Sequence, residues 1–243
     1  MIAPALSQQH DLELRFLAAS TRDLLLTGVR VVRNGGLSAA NRDSVTTSLA
    51  VGLGRLYELA LGLGDLTRYG RWTAPYPDAA DGDRADLMTM HDAVFDFLSL
   101  APHGQTAERL LSRVTTDPVV PRLITALNAY WDCEQVGPAG ARSVTRAWTG
   151  VEDACEQDPA DYELSLLGGP GGEPAEYLAW RRSVRTSRNA FRDGSSQRLS
   201  STVEAIWFAL GVCGRDGAFG QPGEVFAAEV LPPVPARLTS AAA

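Results

Sequence analysis

The amino-acid sequence predicts an all-α, multi-helix bundle. Apolar residues recur at three- and four-residue spacing through long windows, the period of one helix face. Clusters of glycine and proline separate those windows, and no convincing strand ladder or internal repeat is visible. With 243 residues, 45% of them hydrophobic, the chain can bury an ample core without outside help.

A first helix is expected over 12–33, with Leu17, Leu24 and Val31 on one face, Leu14, Ala18, Leu25, Val29 and Val32 beside them, and Asn34-Gly35-Gly36 as its stop. A second is expected over 43–69. Its apolar line is Val45, Leu49, Leu53, Leu56, Ala60 and Leu63. It also carries Gly52, Gly54, Gly62 and Gly64, each costing up to about 1 kcal/mol relative to alanine in an exposed helix. A neighbour packed very close would make them useful there. The loop 70–82, with Pro75 and Pro77, leads to a third helix over 83–100 capped by Asp81 or Asp83. Shorter helices follow: one over 105–114, and one opened by Asp117-Pro118 with Val120, Leu123, Ile124, Leu127 and Trp131 inward. Others span 139–157, 158–167 and 173–193. The last strong helix begins at Ser195 or Ser196 and buries Leu199, Val203, Ile206, Trp207 and Leu210. The expected organisation is a helical core over 1–102, a C-terminal helical region over 103–220 packed on it, and a Pro/Ala-rich tail over 221–243.

Composition narrows the function. The net charge of −7 argues against coating DNA or anionic membrane by bulk charge. No window of about 18 apolar residues suggests a membrane span, and no leader-like start is visible, so a cytoplasmic location is expected. Cys133, Cys155 and Cys213 are odd in number and scattered, which suits buried thiols. No spacing typical of metal ligands occurs, so neither a metal nor a cofactor is expected.

Arg84 and His91 are the residues that suggest chemistry. In a helix beginning at 83 they lie two turns apart and share a face. A guanidinium can hold a phosphate, and an imidazole can move protons near neutral pH. Leu87, Met88, Val94 and Phe95 surround His91 at helical spacing, so a core histidine is the alternative reading. The stretch RADLMTMH, with six residues between Arg and His, resembles the motif of the HEPN superfamily, small all-α domains common in prokaryotic defence and toxin systems. The preceding SLAVGLGRLYELALGL resembles the long helix before that motif, and the likeness covers roughly 12–100. The resemblance implies a metal-independent endoribonuclease or a module derived from one, working as a homodimer with paired motifs at the interface. In that scheme the RNA 2′-hydroxyl attacks the adjacent phosphate, His91 assists proton transfer and Arg84 stabilises the developing charge. Glu58 on the second helix is a candidate to orient His91. A non-catalytic helical module that dimerises or partners a defence enzyme is the second expectation.

Asp78, Asp81, Asp83, Asp86, Asp92 and Asp96 crowd the motif and would repel phosphate unless another surface supplied positive charge. Arg181, Arg185, Arg188 and Arg192 fall at i, i+4, i+7 and i+11, a helical stripe suited to RNA or to an acidic partner. Substituting Arg185→Glu together with Arg188→Glu should weaken such binding and flatten its salt dependence. Binding and oligomeric state identical to wild type would reduce the stripe to a solvated face.

Overall fold

The computed structural model describes residues 6–35, 41–72, 85–131, 148, 151 and 196–232. Every regular element among the described residues is helical: α1 (Gln8–Gly35), α2 (Arg42–Tyr69), α3 (Leu87–Leu100), α4 (Gln105–Thr116), α5 (Val119–Trp131), α6 (196–215) and α7 (Gly220–Val230). None of them is long and apolar enough to cross a membrane. The helices expected over 158–167 and 173–193 lie outside the described residues, as do Cys133, Cys155 and most of 139–157. Trp148 and Val151 of that stretch are helical and buried.

α1 begins earlier than its hydrophobic pattern, because the Ser7 hydroxyl accepts from the His10 amide at 3.2 Å and caps the first turn. Its buried side lies toward one edge of the expected apolar surface. Leu14, Ala18, Thr21, Leu25, Val29 and Val32 are enclosed, whereas Leu17, Leu24 and Val31 are only partly covered. The two lines sit on adjacent sides of one broad apolar surface, and the partner helices select the first.

α2 is enclosed by its neighbours, and all six residues of its expected apolar line are buried. α1 runs antiparallel to it, with Gly28 of α1 against Leu49 and Gly52 against Leu25. A Cβ on Gly28 would stand 2.4 Å from Leu49 Cδ2, and one on Gly52 would stand 2.8 Å from Leu25 Cδ2. Close helix approach thus explains the glycine at these positions. Gly54 faces the Trp131 ring of α5, which an added Cβ would reach at 2.1 Å. Gly64 touches Phe97 of α3 at ordinary contact distance, 3.5 Å. α2 ends at Gly70, whose left-handed backbone (φ 67°) lets its amide return to Leu66 O.

α4 and α5 meet at Asp117. Its side chain, 4% exposed, accepts from the Val119 amide at 2.9 Å and so caps α5, with Pro118 in the first turn. It also takes two bonds from the Arg198 guanidinium of α6, at 2.6 and 2.9 Å. Thr202 Oγ1 lies 3.2 Å from the same carboxylate. This buried ion pair is held by several hydrogen bonds, which offset the desolvation of its charges.

The expected tail begins instead as a helix. α7 follows a tight turn in which Gly217 (φ 95°) and Gly220 (φ 63°) take backbone conformations that other residues avoid. Pro222 falls in its first turn, where a missing amide costs nothing, and Phe226, Ala227 and Val230 are buried. α7 lies on α1: Arg15 pairs with Glu229 at 3.2 Å, and Arg22 donates to Glu229 O at 2.9 Å. Trp207 of α6 donates to Val230 O at 2.9 Å. One cluster of buried side chains runs from Leu14 to Val230, so the first and last helices share a core. The apolar circumference of α2 is covered by helices of its own chain, and its hydrophobicity does not require a second copy. The segment 233–243 lies outside the described residues.

Gly54→Ala should destabilise the protein in urea unfolding. Overpacking against the Trp131 ring, about 1–3 kcal/mol, exceeds the roughly 1 kcal/mol that alanine returns in helix propensity. Gly64→Ala, which meets only an ordinary contact, should be neutral or stabilising. Equal stability of the two variants would contradict the close approach at Gly54.

Candidate functional site

The site is set by where α3 starts. Trp131 of α5 donates its indole N–H to Ala85 O at 3.1 Å, and Asn128 Oδ1 accepts from the Leu87 amide at 2.8 Å. Between them Asp86 is extended, with ψ 155°, and its carboxylate accepts from the amides of Met88 and Thr89, both at 2.9 Å. The Thr89 hydroxyl returns a bond to Asp86 Oδ2 at 2.6 Å. These bonds, led by that from the Thr89 hydroxyl, hold the Asp86 carboxyl below its usual range. The cap is therefore Asp86, not Asp81 or Asp83, and the helix begins at Leu87. The sequence carried a signal for this, Asp86 and Thr89 three apart before an apolar run.

A two-turn spacing puts Arg84 and His91 on one face only within a helix that holds both, and α3 begins at Leu87. Arg84 itself lies outside the described residues, as do Arg181, Arg185, Arg188 and Arg192.

His91 sits in the core, 7% exposed. Its ring packs on Phe95, with centroids 4.3 Å apart, and meets the edge of Tyr57 at 5.5 Å. His91 Nδ1 and Tyr57 Oη are 2.9 Å apart. Burial, with a smaller contribution from Asp92, pushes the Tyr57 hydroxyl well above its usual range, so it remains protonated. The hydroxyl and Nδ1 share one hydrogen bond, whose direction follows the imidazole tautomer. Burial also lowers the His91 pKa to about 4. At neutral pH the imidazole is uncharged, a weaker base than proton transfer near pH 7 favours, and its Nδ1 is engaged.

Tyr57 is the partner the sequence reading missed, although a buried tyrosine hydroxyl needs a hydrogen-bond acceptor and a polar core neighbour was the place to look. Glu58, the candidate orienting group, follows about 100° further round α2 and is half-buried there. Cys213 is buried in α6, and burial, then Asp216, pushes its thiol up to about 12, so it is not a ready nucleophile. Among the described residues, no group of three or more His, Cys, Asp or Glu side chains is placed to hold a metal ion.

Comparison with family models, curated proteins and solved structures finds no match for this chain.

The buried imidazole makes stability depend on pH. The unfolded chain takes up a proton near pH 6.5, whereas the folded protein resists it until about pH 4. The contribution is fully present above pH 6.5 and is lost as the pH falls through this window, to a total of about 3 kcal/mol. Urea unfolding of wild type and His91→Gln between pH 7 and pH 4 should show the stability difference shifting against wild type by about that amount. Parallel curves would place His91 in water rather than in the core.

Proposed function

We propose that this chain is a non-catalytic helical interaction module that binds a protein partner or a second copy of itself. The setting suggested by the HEPN resemblance is prokaryotic defence. One observation carries this reading: the imidazole expected to move protons is a neutral core group, stacked on Phe95 and bonded to Tyr57. The start of α3 at Leu87 supports it, because the alignment of Arg84 with His91 depended on one helix holding both. The engaged Asp86 carboxylate supports it further. That group works as a helix cap, as its bonds to Met88 and Thr89 indicate, and needs no catalytic explanation.

The purified protein should leave single-stranded RNA intact in the presence of EDTA. His91→Ala should lower the melting temperature by several degrees, since it leaves the Tyr57 hydroxyl unpaired at a cost of about 1–3 kcal/mol. RNA cleavage that disappears in His91→Ala while the melting temperature holds would overturn the proposal in favour of a metal-independent RNase. Light scattering tests the second copy: a mass of about twice 26.0 kDa indicates self-association, and 26.0 kDa removes that form of the proposal.

A further inference from the structure

We draw no further inference here: the strongest candidate, the surface patch formed by Leu12 and Phe16 one turn apart on α1, is an unpartnered apolar face, and nothing in the structure shows what covers it.

Discussion

Close approach of the neighbouring helices to α2 is the constraint on which the rest of the structure depends. Because Gly54 lacks a side chain, the Trp131 ring can lie directly on the α2 backbone. In that position its indole N–H reaches Ala85 O, one residue before the cap of α3. There the Thr89 amide bonds the Asp86 carboxylate, and α3 begins at Leu87. That starting point fixes the rotation of α3 and carries His91 to Tyr57. A glycine on one helix is thus linked to a histidine on another through a series of contacts.

Much of the architecture was legible in the sequence. The apolar line of α2, the stripe of α6 and the Asp117-Pro118 opening of α5 follow from periodicity and capping chemistry, which are local. The reading failed where tertiary contacts decide. On α1 two adjacent apolar lines were equally good, and only the position of α2 and α7 chooses the one through Leu14, Ala18 and Leu25. α7 was hidden because glycine and proline dominate its surroundings, yet they occupy the turn and the first helical turn, where they are tolerated. At the candidate site, the apolar neighbours of His91 were visible, but its partner was not. α2 is apolar nearly all round, so periodicity could not tell whether the side of Tyr57 or that of Glu58 would meet α3.

Burial governs the ionisable groups of this core, and it does so in one direction. His91, Tyr57 and Cys213 are each shifted toward their uncharged forms, with desolvation as the leading cause. Asp117 is solved differently, by a guanidinium brought to it from α6 with Thr202 beside it. The core therefore tolerates polarity either by keeping it neutral or by surrounding it with donors. Both arrangements favour a fixed interior over one poised to exchange protons with water.

The partners of Asp117 also impose an order on how the chain is made. Asp117 and Arg198 are 81 residues apart, so at synthesis rates of about 5–20 residues per second the acid precedes its counter-charge by roughly 4–16 seconds. During that interval the α4–α5 corner has a cap but no cation. Sealing it from solvent would leave a carboxylate without a counterion. The buried acid is therefore neutralised only after α6 has been made.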